Sequence, residues 1–475
     1  MSRRTTNVLL ALGSIAGAAL AAPYGFGMRI ESWFEESIAQ APPNPFYQLE
    51  IERYERGWRT SHAVTALKIS PPDHTPVTLR FDSRIEHGPI IGGLRQARIT
   101  TTPVLSPEIT AVIGSMFGAQ PPLVSVIDVA ISGAVDGAVD SPTASAAVGA
   151  IGVGAEWKGL RSHFHLDPSS TAVDFAGEIP GVSFGPSGGQ PILRVAGVTF
   201  SGTGTKSDTS GLWLSSSTFE LGQLELLDPG NGNGASRLEK LRMTSSSDEK
   251  DGLIQMAGGL SAAEATIRES AVKDFALEFS LHDIDAASMK KFREFLEAHS
   301  TPPAQPDPQT AQLLVAQMQS LAGGFLARKP WFAIDRLVFV YQDEPFSANA
   351  RVQYLGAGNL AAFNPISDLG GRFSFEAPQS AVQTIVESRQ LNELMQQRAS
   401  LSSASGVVVE PTLEEQLAMQ AQASALAGQK VLEMITQHWI VPAGAGRWKA
   451  EAVLENGAIT LNGRPFTPPL PAVAP

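Results

Sequence analysis

From Tyr47 onward, apolar and polar residues alternate along much of the chain, and a period of two sends successive side chains to opposite faces of a sheet. The alternation is clearest over Tyr47–Ile51, Val77–Phe81, Phe346–Tyr354 and Ala458–Asn462. Turn-forming clusters punctuate these runs at Pro71-Pro72-Asp73, Gly88-Pro89, Asp228–Gly234 and Asp248–Gly252. Short strands and turns at roughly 8 to 12 residue spacing predict antiparallel meanders. Between about residues 150 and 285 the same cadence continues, with segments opening near Trp157, Ile192, Leu238 and Phe275.

Helical spacing interrupts the strands in three places. Asp285 is placed to cap a helix over residues 286–299, whose Met289, Phe292 and either Phe295 or Leu296 form an apolar stripe. A proline-rich connection, 301–308, follows it, and helical spacing resumes over Gln309–Leu326. A second helical stretch begins after Pro378, with Val382, Ile385, Val386, Leu391, Leu394 and Met395 apolar. The longest starts at Thr412, where Thr412 and Glu415 form a capping box, and runs to about Gln437. Its other positions are mostly Gln and Ala, which predicts a solvated helix lying against a sheet.

The N-terminal segment has a different pattern. Residues 7–28 carry no charge, with Arg3 and Arg4 before them and Arg29 after. About 20 uncharged residues can cross a bilayer as a helix, and leading arginines favour a cytoplasmic N-terminus. Ala19-Leu20-Ala21 also suits signal peptidase, so a cleaved signal is the competing reading. Spanning length favours the anchor. Beyond it, Ile30, Phe34 and Ile38 fall four apart and share a helical face, while Tyr24 and Trp33 suit a membrane interface. The predicted organisation is a cytoplasmic 1–6, a transmembrane 7–28, a β-rich region 29–300, the connection 301–308, a β/helical region 309–464 and a disordered tail 465–475.

Composition narrows the function classes. No cysteine occurs, which removes disulfides, thiolate metal sites and a cysteine nucleophile together. The formal charge is -12, from 47 acids against 35 bases without a basic run, so no nucleic-acid partner is expected. With 44 glycines, 33 prolines and only 17% charged residues, the chain reads as strands and turns and not as a coiled coil. The fold class expected is α+β and β-rich, a long twisted antiparallel sheet of meanders with packed helical insertions after one transmembrane helix.

Several short motifs then come into view together. Tyr54, Gly57, Trp58, Ser61 and Ala63 fall in one decapeptide, Arg84–Pro89 contains His87-Gly88-Pro89, and Gly457–Pro465 contains Asn462, Gly463 and Pro465. With Trp157–Leu160 between them, they occur in the order seen in the YdgA-like family of bacterial envelope proteins, which this chain resembles over nearly its whole length. The resemblance implies an inner-membrane anchor and a β-rich periplasmic body, and it brings no activity and no catalytic residues. On physical grounds the motif residues read as structural. Gly57 suits a bulge or a positive φ, Trp58 a core plug, His87 a turn lock through its imidazole, and Asn462-Gly463 a tight turn.

Candidate chemistry is thin. Gly181–Gly185 spells G-x-S-x-G around Ser183, but Pro186–Pro191 cannot start the helix a nucleophile elbow needs. Gly202–Ser207 lacks the spacing of a phosphate loop and reads as a turn between strands. His163 and His165 would share a strand face near Asp167, a geometry metals accept, without a third ligand to name. No catalytic residue, cofactor or metal is assigned. The function expected is a non-enzymatic, inner-membrane-anchored periplasmic protein that binds a lipid or other apolar ligand in a sheet groove, an idea drawn from AsmA-like envelope proteins at fold level only. The alternative is a scaffold for an envelope protein partner, docking through the helices after Pro378, and a hydrolase is third.

Overall fold

A computed structural model describes residues 25, 28–32, 34–35 and 47–467, except 71–75, 90–92, 149–152, 228–235, 268–269, 299–307, 342, 359–362, 405–411 and 445. The protein is β-rich, with long antiparallel ladders and a few helices. Its contacts define two compact units, one of residues up to Gly252 with Met289–Leu314, the other of Leu253–Ser288 and the chain from Val315. The predicted span 7–28 lies almost wholly outside the described residues. Among the described residues no helix is long and apolar enough to cross a membrane.

In the first unit β1 (Tyr47–Glu55), β2 (Thr60–Ile69), β3 (Val77–His87), β4 (Arg95–Val104), β5 (Val124–Ala130) and β6 (Val135–Ser141) pair in chain order. There the meander skips. β6 pairs β9 (Leu160–Leu166), and the hairpin of β7 (Ala144–Val148) and β8 (Val153–Trp157) is set aside. The 15-residue β10 (Ala172–Pro186) serves both, its first half on β9 and its second on β8. Chain order resumes through β11 (Leu193–Lys206), β12 (Trp213–Leu226) and β13 (Ser236–Lys250).

Register turns the period-two sequence into two chemically distinct faces. One row runs directly across eight strands as Ser61, Ile85, Ile99, Ile127, Gly137, Phe164, Phe175 and Gly202. The opposite face carries Glu86, Arg98, Asp128, Asp136, His165 and Asp174 in line. Arg98 binds Asp128 through two hydrogen bonds of 2.8 and 2.9 Å. On the apolar face, Ile85, Ile99, Ala97, Val129 and Val135 are buried, and Ile30 of α1 (residues 28–32) completes their core. Phe34 packs there too, 6.1 Å from the ring of Tyr54. Of the predicted helical face, Ile30 and Phe34 thus pack on this core, while Ile38, Tyr24 and Trp33 lie outside the described residues.

Glycines inside the strands have a specific use. Gly137, Gly177 and Gly202 lie directly opposite Phe164, Phe200 and Phe175, and a Cβ at any of them would overlap the facing ring. Each phenyl lies over the bare backbone of its partner strand, covering what glycine leaves open. Gly202–Lys206 therefore belongs to β11, which corrects the reading of that segment as a turn. Ser183 lies inside β10, 3.5 Å from Glu156, with no elbow around it.

A helix absent from the expectation, α2 (Pro107–Phe117), contacts β7. Its start was legible: the Ser106 carbonyl accepts both the backbone N–H and the hydroxyl of Thr110 at 2.8 Å, and Pro107 sits at the first helical position. The predicted helices are present as α3 (Ala286–Ala298), α4 (Pro308–Leu326), α5 (Gln379–Ala404) and α6 (Leu413–Thr436). Asp285 caps α3 through the N–H and hydroxyl of Ser288, both at 2.8 Å. Burial pushes the Asp285 carboxyl up, but these bonds and Arg328 outweigh it and hold the acid below its usual range.

The second unit pairs β14 (Leu253–Ile267), β15 (Ser270–Asp285), β16 (Trp331–Tyr341), β17 (Glu344–Tyr354), β18 (Leu369–Pro378), β20 (Arg447–Glu455), β21 (Ala458–Leu461) and β22 (Arg464–Pro465) in line. The short β19 (Val441–Pro442) joins the side of β20. Between β18 and β20 the chain leaves the sheet as an antiparallel pair of helices. α6 packs along α5, with Ala423 and Ala427 fully buried, and meets the sheet at its C-terminal end, where Val431, Met434 and Ile435 pack on the cluster that contains Ala377 and Ala450. The capping box forms, and Arg398 of α5 reaches Glu415 of α6 at 2.8 Å. Pro465 pairs with Thr460 and Phe466 packs on Trp439, so the fold extends past the point where a tail was expected.

Candidate functional site

Two places bring the singled-out residues together. The first is in the first unit, where motifs 26 residues apart in sequence meet: the Ser61 hydroxyl lies 2.9 Å from His87 Nε2, both buried. His87 Nδ1 is 3.4 Å from the Trp58 carbonyl, and the His87 backbone N–H donates to the Arg59 carbonyl at 2.8 Å. Burial raises the Tyr54 phenol above its usual value, against the pull of the neighbouring Ser61. Ala63, 0% exposed, sits opposite both Tyr54 and Ser83.

This cluster tethers the β1–β2 turn to the end of β3. Gly88, before Pro89, fits because a Cβ there would strike the Arg95 carbonyl. Two expectations need correction. Trp58 is 55% exposed and plugs no core, since it lies in the turn beyond the sheet faces. Gly57 has no positive φ; the bulge that breaks strand parity falls between Ile51 and Arg53, and Gly57 is small because Thr60 O crowds it. A Ser–His pair at 2.9 Å is the contact a nucleophile and base would make. Here both members are 3% and 4% exposed, and the contact joins β2 to the end of β3 in the interior.

The histidine pair of β9 resolves similarly. His165 Nδ1 lies 2.7 Å from Asp136, and that hydrogen bond raises its pKa. Asp167 instead accepts backbone N–H groups of Ser169, Thr171 and Ala172, closing the β9–β10 turn. Those bonds, with the Ser169 hydroxyl first among them, hold it far below the usual carboxylate range. Among the described residues no group of three His, Asp or Glu is placed to hold a metal ion.

The second place is a groove of about 910 Å³ in the second unit. Its floor is the apolar face of the sheet: Phe346 and Ala348 of β17, Phe373 and Phe375 of β18, and Leu337 of β16. Strand register makes this face: Phe375 opposes Ala348 on one side and Ala450 on the other. Val382, Ile385 and Val386 of α5 form one wall, at the i, i+3, i+4 spacing of a single helix stripe. Met434 and Lys430 of α6 and Trp439 beyond it form the other. The base is closed by a core of Ala377, Val382, Ile440 and Ala450. Above it Ile385 is 53% exposed and Phe373 43%, apolar surface left facing the gap.

The closing motif positions this wall. Asn462 Oδ1 accepts the Glu451 N–H at 2.8 Å, while Nδ2 donates to the carbonyls of His438 at 2.8 Å and Trp439 at 3.2 Å. Asn462 and Gly463 have φ of 50° and 76°, the geometry of a two-residue hairpin turn. Phe466 meets Trp439 edge-on at 6.0 Å. Sequence reasoning found Asn462 and Gly463 as a turn but missed Trp439, because its role depends on a side-chain contact across 23 residues. Asn462→Ala leaves one amide and two carbonyls to find water, and is expected to lower the stability of this unit by about 1–3 kcal/mol. It should also alter the near-ultraviolet dichroism of Trp439. Urea unfolding and a spectrum both indistinguishable from wild type would contradict this role.

A smaller cleft of about 490 Å³ lies where β10 changes partner and is lined by Lys158, Gly159 and Leu160 of the mid-chain motif with Asp140, Arg161 and Glu178. Its two acids and two bases balance. Neither a curated protein nor a solved structure matches the chain, so no relative supplies an activity or the YdgA-like name. The motifs imply a bacterial family without assigned function, and a family model covering residues 4–469 agrees: the chain belongs to the family described as bacterial protein of unknown function (DUF945).

Proposed function

We propose that the protein is a non-enzymatic cell-envelope component that holds a lipid or another apolar ligand in the groove between α5, α6 and the sheet of the second unit. The observation that carries the reading is the groove itself. At about 910 Å³, with ten of its fourteen lining residues apolar, it has the size and lining of a ligand site. Half-exposed Ile385 and Phe373 are the surface that an occupant would remove from water. The uncharged run 7–28 after Arg3 and Arg4 supports a single inner-membrane anchor with the body in the periplasm, within reach of lipid.

Native mass spectrometry of the full chain, with lipid extraction, tests the reading. Wild type should retain one chain-bearing ligand per protein, and Ile385→Arg should lose it, since the guanidinium would fill the groove from an exposed position. Equal retention in both would assign the lipid to the membrane segment and remove the groove function. A clean apo mass would move the reading to the scaffold alternative. That alternative is favoured by Leu413 and Leu417, 72% and 59% exposed one turn apart on α6, which present an apolar face to a protein partner.

A further inference from the structure

The polarity of the groove changes along its length, and the change runs in the same sense on both helices. On α5 the lining residues nearest the sheet junction are Val382, Ile385 and Val386, and those one to two turns farther out are Arg389, Gln390 and Glu393. α6 runs the other way, with Met434 at the base and Lys430 a turn farther out. One end is therefore wholly apolar and closed by the buried core. The other is a polar mouth framed by a cation from each helix.

An apolar molecule would leave this mouth unused, and a polar one would leave the floor uncovered. The arrangement fits an occupant with the same gradient. At the mouth the lining holds two cations, Arg389 and Lys430, against one acid, Glu393. Arg389 is joined to Glu393 at 3.0 Å, and Lys430 to Glu433 at 2.8 Å, both as solvated pairs within one helix. Such pairs are weak and exchange readily for a better acceptor. Glu433 is not part of the lining, and Lys430 also lies 5.6 Å over the ring of Trp439, which Asn462 fixes. Each cation is held by one acid, and the planar fork of Arg389, the ammonium of Lys430 and the amide of Gln390 supply the donors that an anionic oxygen head would take over from those acids.

We propose that the groove takes a single-chain amphiphile with a carboxylate head, the head between Arg389 and Lys430 and the tail running over Phe373 and Phe375 toward Val382 and Met434. The assignment rests on the groove being a ligand site, and the experiment separates the two. The full chain is photolabelled with dodecanoate carrying a diazirine at its terminal carbon, and with the dodecanol and dodecyltrimethylammonium analogues. The acid should label peptides containing Val382 or Met434 about tenfold more than the alcohol, the gain expected of a charge-assisted hydrogen bond. The cation should label less than either. In Arg389→Gln/Lys430→Gln the ratio of acid to alcohol labelling should fall to about one, and Arg389→Lys should restore part of it. Equal labelling by acid and alcohol in wild type, or stronger labelling by the cation, would overturn the carboxylate assignment while leaving an apolar site. Labelling of the groove by none of the three would overturn both.

Discussion

Val382→Asp is expected to release the helical pair α5–α6 from the sheet of the second unit. Val382 is 5% exposed and packs with Ala377, Ile440 and Ala450, all apolar, at the base where α5 departs from β18. A buried charge without a partner costs about 3–5 kcal/mol, and relief comes from the cheapest route, which is to expose the helix that carries it. The sheet beneath keeps its ladders, because β18 and β20 pair directly over Gly371–Pro378. Hydrogen exchange should therefore rise across Gln379–Ala404 and Leu413–Thr436 and much less in β17, β18 and β20. Protection of both helices equal to wild type would refute the picture of a pair held mainly at its base.

The same cluster shows what the sequence made legible. The α5 stripe of Val382, Ile385 and Val386 and the alternation of Phe346–Tyr354 are local patterns, and each predicts correctly which side of its element is apolar. The groove is not local. It exists because α6 packs on α5 and the pair meets the sheet at the base, through the cluster of Ala377, Val382, Ile440 and Ala450, with the gap lined farther along both helices. No periodicity records the distance between two apolar surfaces.

Strand pairing shows a similar divide. Alternation gives strands and faces, but the switch of β10 from β9 to β8 brings in partners beyond the neighbouring hairpin, and the placing of Phe164 over Gly137 joins positions far apart in sequence. Gly202 and Gly204 look like a turn because glycine usually marks one, whereas here aromatic rings from neighbouring strands need the space. Trp58 misled for the opposite reason: a tryptophan in a recurrent motif suggests a core, yet its backbone carbonyl faces His87 and its ring is outside. The helix α2 has its local signal in Ser106-Pro107, a polar residue followed by proline at the first helical position.

The second large effect is expected at Ile85. Ile85→Ala removes a side chain that is 0% exposed in the first unit's apolar row, between Ser61 and Ile99 and among the residues that bury Ile30. Isoleucine-to-alanine changes in cores cost about 2–5 kcal/mol, the spread reflecting how far neighbours can close the cavity. Here β3 is hydrogen-bonded to β2 and β4 on both sides, so its backbone cannot move inward, and the cost should fall in the upper half of that range. Leu79→Ala is the control in the same strand and on the same face: Leu79 is 40% exposed and should cost about 1 kcal/mol or less. Urea unfolding of the two variants should differ by more than about 1.5 kcal/mol. Ser61 lies directly across from Ile85, so the cavity also opens beside the His87 contact, and imidazole exchange at His87 should quicken in Ile85→Ala alone. Equal losses in the two variants would mean that β3 is no more tightly packed at Ile85 than at Leu79, and that the Ser61–His87 contact is held by its turn and not by the core below it.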